Sequence, residues 1–304
     1  MKISTVPRLA CFALLGASLL VSACTAPPSG RTNDGRLKVV AAESPWGSVA
    51  QAIGGDRVAV TSLVSLPNTD PHEFTPSAVQ AAAVSTAALV IDNGLGYDTF
   101  MEQLLAPGAA GSRRVVTAAA VLQVTSTTAN PHLWYSIRRV PEVANAIERA
   151  LEAQDPAGTD VFRQRLADFI DSLEPITTAL GDIRRERGGS AVAQTERVAG
   201  YLLAEAGLRV SSPEGFARAV EAGREPDALS AASMSRLLSA GHADALVVNI
   251  QATSAATTQA IAEARRGSVP IVEVTETNQP VGTSFAAWQR RQVALLSRSM
   301  GVGP

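Results

Sequence analysis

The stretch Gly158–Arg187, GTDVFRQRLADFIDSLEPITTALGDIRRER, decides the reading of the fold. It carries no strand signal across thirty residues. Val161, Leu166, Phe169, Ile170, Leu173, Ile176, Leu180 and Ile183 recur at near-helical spacing. A helix of that length would span about 45 Å, with Pro175 bending it. On both sides, short β-branched runs alternate with longer Ala-rich segments. Candidate strands are Leu37–Ala42, Val58–Val64, Ala88–Asp92 and Arg114–Thr117 before it, and Ala191–Gln194, Ala245–Ile250 and Val269–Thr275 after it. Between them lie helical patterns at Trp46–Ile53, Pro76–Ser85, Tyr97–Leu105, Val140–Glu152, Ala199–Ala206, Ala231–Ala240, Thr257–Ala264 and Phe285–Ser299. Strand alternating with helix predicts βαβ units and parallel sheets. Near-continuous apolar runs such as Ala88–Ile91 suit strands buried on both faces. The expected fold is therefore α/β, with two lobes, each a parallel sheet flanked by helices, joined by one long backbone helix. The expected divisions are an N-terminal lobe over 37–154, a linking helix over 155–190 and a C-terminal lobe over 191–304. A single larger α/β domain with a long surface helix is the competing arrangement.

The first residues read as a targeting segment. Lys2 and Arg8 form a positive n-region, and Leu9–Val21 form an apolar h-region too short to span a membrane as a helix. Val21-Ser22-Ala23-Cys24 then resembles a bacterial lipobox, which places cleavage after residue 23 and acylation on Cys24. More than one acyl chain is needed for stable attachment, and residues 24–36, rich in Pro, Ser, Gly and Asn, read as a flexible lipidated tether. The mature body is expected to be extracytoplasmic and held at the cell membrane by its N-terminal lipid.

Composition narrows the chemistry. The 304 residues carry 26 Lys+Arg against 28 Asp+Glu, with 46% apolar residues. That leaves ample material for a globular body. It offers no basic block for nucleic acid. Of the two cysteines, Cys11 leaves with the signal and Cys24 carries lipid, so the folded body has no disulfide, thiol nucleophile or thiolate metal site.

Two of the three histidines share a context. Asp70-Pro71-His72-Glu73-Phe74 and Asn130-Pro131-His132-Leu133-Trp134 both read Asp/Asn-Pro-His-x-aromatic, each downstream of a candidate strand. Proline fixes φ before the imidazole and limits the loop, which preorganises a ligand. Ligands of open α/β sheets sit beyond the carboxyl ends of strands. In the second half, Glu196 follows the strand Ala191–Gln194 and Glu276 follows Val269–Thr275. His72, His132, Glu196 and Glu276 thus form a candidate metal set of two imidazoles from one lobe and two carboxylates from the other. Such N/O donors suit Mn²⁺, Fe²⁺ or Zn²⁺ and not Cu⁺. The two carboxylates lean the set toward Mn²⁺, most of all if Glu196 binds through both oxygens. Bland alternatives are a helix-start acid for Glu196 and a solvated loop acid for Glu276. His242, at a helix end, is left outside the site.

With these pieces on the page, the chain resembles the metal-binding lipoproteins of bacterial ABC importers, the zinc/manganese class called cluster A-I or solute-binding protein family 9. The resemblance runs from about Leu37 to Ser299. It is carried by the lipobox, Ile53–Asp56, Asp70–Pro76, Asn93-Gly94-Leu95-Gly96-Tyr97, Asn130–Trp134, Gly200-Tyr201-Leu202, Gly207-Leu208 and Val272–Thr277. It implies one metal between two small lobes joined by a rigid helix, with delivery to a membrane permease and its ATPase. By position, His72 and His132 match the two N-lobe ligands. Glu196, five residues before Tyr201, stands where many zinc members carry His and many manganese members carry Glu. The fourth ligand is usually Asp after the last core strand, and Glu276 is its nearest match at shorter spacing. No His-rich acidic loop is present.

The function this implies is a monomeric, lipid-anchored receptor for Mn or Zn rather than an enzyme. The alternatives are a metal-dependent enzyme using His72, His132 and one glutamate, or a surface adhesin or metal chaperone on the same fold. The sequence has no H-E-x-x-H, Gly-x-Ser-x-Gly or P-loop motif.

Overall fold

The computed structural model describes residues 1, 30–66, 74–105, 113–126 and 128–303. Its first half runs β1 (Leu37–Glu43), α1 (Ser44–Gly54), β2 (Val58–Val64), α2 (Ala78–Ser85), β3 (Leu89–Asp92), α3 (Thr99–Leu105), β4 (Arg114–Thr117), α4 (Ala118–Val121) and α5 (Val140–Gln154). Then come α6 (Thr159–Asp171) and α7 (Glu174–Arg187). The second half runs β5 (Ala191–Gln194), α8 (Gly200–Glu205), β6 (Arg209–Val210), α9 (Glu214–Glu221), α10 (Ala228–Ser239), β7 (Ala245–Asn249), α11 (Ala255–Arg266), β8 (Ile271–Val274) and α12 (Phe285–Ser299).

Each half builds one parallel sheet. The strand orders are β2-β1-β3-β4 and β6-β5-β7-β8, so the two lobes repeat one topology without a repeat in sequence. In both, the chain steps from the first strand to one edge and then crosses back to the other side. The reversal opens a crevice beyond the carboxyl ends of β1 and β3 in one lobe and of β5 and β7 in the other.

Alternation along the strands sends side chains into different cores. Val39, Ala41, Leu89 and Ile91 of the first sheet and Val192, Val247, Val272 and Val274 of the second share one apolar core. Trp46 of α1, Ile147 of α5, Phe162 of α6, Leu180 of α7 and Trp288 of α12 fill it. Outer faces are covered separately: Val40 and Val90 meet Phe100 and Met101, while Leu246 and Val248 meet Phe216, Met234 and Leu238. The shared inner core joins the lobes, and burying one large apolar side chain there is worth about 1.5–3 kcal/mol.

The segment between the lobes is helical, as its apolar spacing predicts, but it is two helices and not one. Pro175 has no N–H to donate to the Asp171 carbonyl and sits in the first turn of α7, where proline is tolerated. The chain tightens with Leu173 N donating to Ile170 O (3.0 Å) and restarts with Thr177 N donating to Leu173 O (3.1 Å). Phe169, Leu173, Ile176 and Leu180 stay buried through the break, so both helices keep one face on the core. The structure also holds β6, a two-residue strand whose residues are both exposed. With no apolar run, it gave no signal in the sequence.

Cys24 and the signal segment lie outside the described residues. The end of the stretch read as a tether is a turn packed on the N-terminal lobe. Lys38 N donates to Gly30 O (2.9 Å). The Arg31 guanidinium reaches Asp155 (3.4 Å), which also pairs with Arg57 (2.7 Å). No helix among the described residues is long and apolar enough to cross a membrane.

Candidate metal centre

His72 lies outside the described residues, as do all of Pro67–Glu73. Of the other three candidates, His132 faces Glu276, and Glu276 and Glu196 share the Asn249 amide beyond the carboxyl ends of the second sheet.

In the N-terminal lobe the loop after β3 holds the loop of His132. Asp98 accepts from the backbone N–H of Asn93 (2.6 Å) and Gly94 (2.9 Å), which closes a tight turn. Gly94 has φ of 78°, and a Cβ there would lie 2.9 Å from Thr117 Cγ2. Glycine meets both demands. The turn buries the Asn93 amide, which accepts from Trp46 Nε1 (3.2 Å) and donates to Pro131 O (2.7 Å). His132 follows and is fully buried. Asn130 Oδ1 accepts from His132 N (3.1 Å) and faces His132 Nδ1 at 2.7 Å. Asn130 Nδ2 donates to Arg197 O (2.7 Å), which fixes the amide orientation and so assigns the imidazole proton to Nδ1. Nε2 is then turned toward Glu276, 3.3 Å from Oε2. The rings of Tyr97 and Trp134 pack edge-on to the imidazole at 5.5 and 5.7 Å. This is the outer support that keeps a metal-binding histidine in one tautomer and one orientation.

In the C-terminal lobe both carboxylates stand two residues beyond a strand, Glu196 after β5 and Glu276 after β8, and both are buried. Between them is Asn249, the last residue of β7 and fully buried. Its Nδ2 donates to Glu276 Oε1 (2.6 Å) and also to Glu196 Oε1. The loop of Glu276 is fixed from several sides. Gln251 Oε1 accepts from Glu276 N (2.7 Å) and Thr277 N (3.0 Å). Tyr135 hydroxyl donates to Thr275 O (2.7 Å), and Trp288 Nε1 donates to Thr275 Oγ1 (2.9 Å). Across the lobes, Tyr97 hydroxyl donates to Glu276 Oε2. Burial, and then the Glu276 charge beside it, push the Tyr97 phenol well above its ordinary value, so it stays a donor.

The chemistry of this set is that of a cation site. Two buried carboxylates sharing one amide donor repel each other, and a dication between them replaces repulsion with attraction. Imidazole Nε2 adds a neutral donor from the facing lobe. His132 faces Glu276 directly, and Glu276 is linked to Glu196 through the Asn249 amide; among the described residues no three His, Cys, Asp or Glu side chains close into a metal-holding cluster.

A family model for ZnuA, the zinc-uptake complex component A periplasmic, matches residues 39–299. The chain belongs to this family. It is 27% identical over 176 residues to the manganese-binding lipoprotein MntA of Halalkalibacterium halodurans, a match covering 56% of this chain and 58% of that protein. The chain thus spans little more than half the length of such a relative. In structure it is similar to the SBP FpvC from Pseudomonas aeruginosa in complex with Mn²⁺, with TM-score 0.72 and 23% identity over 88% of this chain and 98% of that one. It is also similar to the periplasmic zinc binding protein TroA from Treponema pallidum, with TM-score 0.69 and 20% identity over 86% and 98%. At these identities the two structures speak for the fold alone.

Two groups at or near the candidate site gave no motif signal in the sequence. Asn249 ends a strand as Glu196 and Glu276 follow theirs, so its place at a carboxyl end is the one signal that a neutral residue there gives. Glu43, the last residue of β1, is buried near Asp98 and Asp92. Burial, then the Asp98 charge, push its carboxyl well above the usual range, which favours the neutral acid.

Proposed function

We propose that this chain captures a divalent transition metal, Mn²⁺ or Zn²⁺, outside the cytoplasm and delivers it to the permease of an ABC importer. The observation that carries this reading is His132 turned onto Glu276 from the facing lobe, with Glu196 linked to Glu276 through Asn249, in a family whose model is named for zinc uptake. His72 is the proposed fourth ligand, supplied by the second Asp/Asn-Pro-His loop. A manganese-binding relative and the zinc-uptake name of the family model support the choice of cargo. Two imidazoles and two carboxylates complete a four-donor shell, whereas a catalytic metal keeps an open position. We therefore read the protein as a receptor and not an enzyme, with 37–154 and 191–304 as its two lobes. It works as a monomer served by a permease and its ATPase.

Titration of metal-stripped protein with Mn²⁺ and with Zn²⁺ tests the proposal. The expected result is one tightly bound ion per chain for at least one of the two metals. Absence of stoichiometric binding by either would overturn the reading.

The lipid anchor belongs to the same proposal and rests on Val21-Ser22-Ala23-Cys24. Cys24→Ala is expected to move the protein out of the detergent phase on phase partition. Continued partition with detergent would assign attachment to something other than Cys24.

A further inference from the structure

Asn249 is held in one orientation by the backbone. Its Oδ1 accepts from Gln251 N (3.0 Å), so its NH₂ must face the opposite way. That way lie both buried glutamates, and the amide takes Oε1 of each. The bond to Glu276 is 2.6 Å, short for an amide N–H donating to a carboxylate. Oε2 of Glu276 points elsewhere, to the Tyr97 hydroxyl and to His132 Nε2 at 3.3 Å.

A carboxylate that binds a metal through both oxygens must turn both toward it. Here one oxygen of each glutamate is turned to the amide. Resting on the metal-capture reading above, we infer that Asn249 is a specificity-determining residue: by engaging Oε1 of both Glu196 and Glu276, it restricts each to one metal-facing oxygen and makes the site four-coordinate. Two imidazole nitrogens and two single oxygens are the shell that Zn²⁺ accepts in a tetrahedron. Mn²⁺ favours about six donors, mostly oxygen. The amide thus works against the preference that two carboxylates would otherwise give. It is a neutral group that decides how many donors two charged ones supply.

The same amide keeps the two carboxylates in place without adding charge. A residue here with no donor would leave both glutamates able to rotate and offer two oxygens each. Asn249→Ala is therefore expected to lower the Zn²⁺/Mn²⁺ affinity ratio by about tenfold, the lower end of the effect of removing an outer support from a metal ligand. Asn249→Ser, which keeps a small polar group, provides a second variant should the alanine variant fold poorly.

Coordination number is read directly with Co²⁺ as the probe. Four-coordinate Co²⁺ absorbs visible light far more strongly than six-coordinate Co²⁺. The full-length protein loaded with Co²⁺ is expected to show the intense four-coordinate spectrum, and Asn249→Ala or Asn249→Ser to lose several-fold in intensity while still binding one ion. A weak, six-coordinate spectrum in the unmodified protein overturns the inference but leaves metal capture standing, since the ion is bound. Unchanged spectra and an unchanged Zn²⁺/Mn²⁺ ratio in both variants also overturn it. Failure of the unmodified protein to bind Co²⁺, Zn²⁺ or Mn²⁺ at all removes the capture reading together with this one.

Discussion

His132→Ala is expected to abolish tight metal binding, with affinity for Mn²⁺ and Zn²⁺ falling by on the order of a hundredfold or more. Removing an outer support costs about 10–100-fold, and a ligand nitrogen contributes more than its support. The imidazole is fully buried, its Nδ1 is held by Asn130 and its Nε2 faces Glu276. Truncation also empties a space between Tyr97 and Trp134, at a cost of about 2–4 kcal/mol by analogy with other large-to-small core changes. His132→Gln, which fills more of that space, separates the two effects. Competition against a coloured chelator gives the affinities, and circular dichroism reports the fold. Near-normal affinity in a folded His132→Gln or His132→Ala variant would remove His132 from the site. A loss of binding accompanied by unfolding in alanine but not in glutamine would still identify the ring nitrogen as the ligand, provided the glutamine variant binds weakly.

The parts of the fold that were legible are those where burial writes itself into composition. β3 and β7, buried at every residue, lie within the apolar runs Ala88–Asp92 and Ala245–Ile250, and α12 runs from Phe285 to Ser299 as its apolar spacing requires. Strands buried on both faces must be apolar throughout, and that pattern cannot be hidden. What was missed is what burial does not mark. β6 pairs through its backbone with exposed side chains. The helices α4, of 4 residues, and α9, of 8, are too short for apolar periodicity to mark them. The link between the lobes shows a subtler limit. Its apolar period survives the break at Ser172–Leu173 because both helices pack on one core, so periodicity alone reported one helix. Pro175 marked the place, and its reading as a bend understated a full interruption.

The site divides in the same way. Charged residues past strand ends were found because a buried carboxylate needs a partner and the position is diagnostic. Asn249 carries no charge and Tyr97 reads as core, yet both touch Glu276. Support of this kind depends on which side chains the fold brings within 3 Å, and a neutral amide gives no warning of it. The shared Asp/Asn-Pro-His context singled out His132 as a candidate, and Asn130 of that motif is the residue that sets the His132 tautomer.

Trp288→Ala is expected to be among the most destabilising substitutions outside the proposed metal set. The side chain is 1% exposed and sits in the core that both lobes share. Its ring packs edge-on to Tyr135 at 5.7 Å and to Phe285 at 5.9 Å. Large-to-small changes at buried aromatic positions cost about 3–5 kcal/mol, which for a chain of this size lowers Tm by roughly 10 °C. The same residue reaches the site. Its Nε1 donates to Thr275 Oγ1, and Thr275 precedes Glu276. Tyr135, which leans on the ring, holds the Thr275 carbonyl. Truncation therefore loosens the loop that aims Glu276, and metal affinity is expected to fall by about tenfold, as for loss of an outer support. Trp288→Phe keeps most of the volume but not the N–H. It should cost about 1–2 kcal/mol, mainly the lost hydrogen bond, and leave affinity within a few-fold. Thermal melts of metal-free and metal-loaded protein, read beside the competition titration, check both effects. A Trp288→Ala variant that melts like the unmodified protein would show that α12 does not carry the shared core. One that melts early but binds metal normally would detach Trp288 from Glu276, and leave Gln251 and Asn249 as the groups that hold that carboxylate in place.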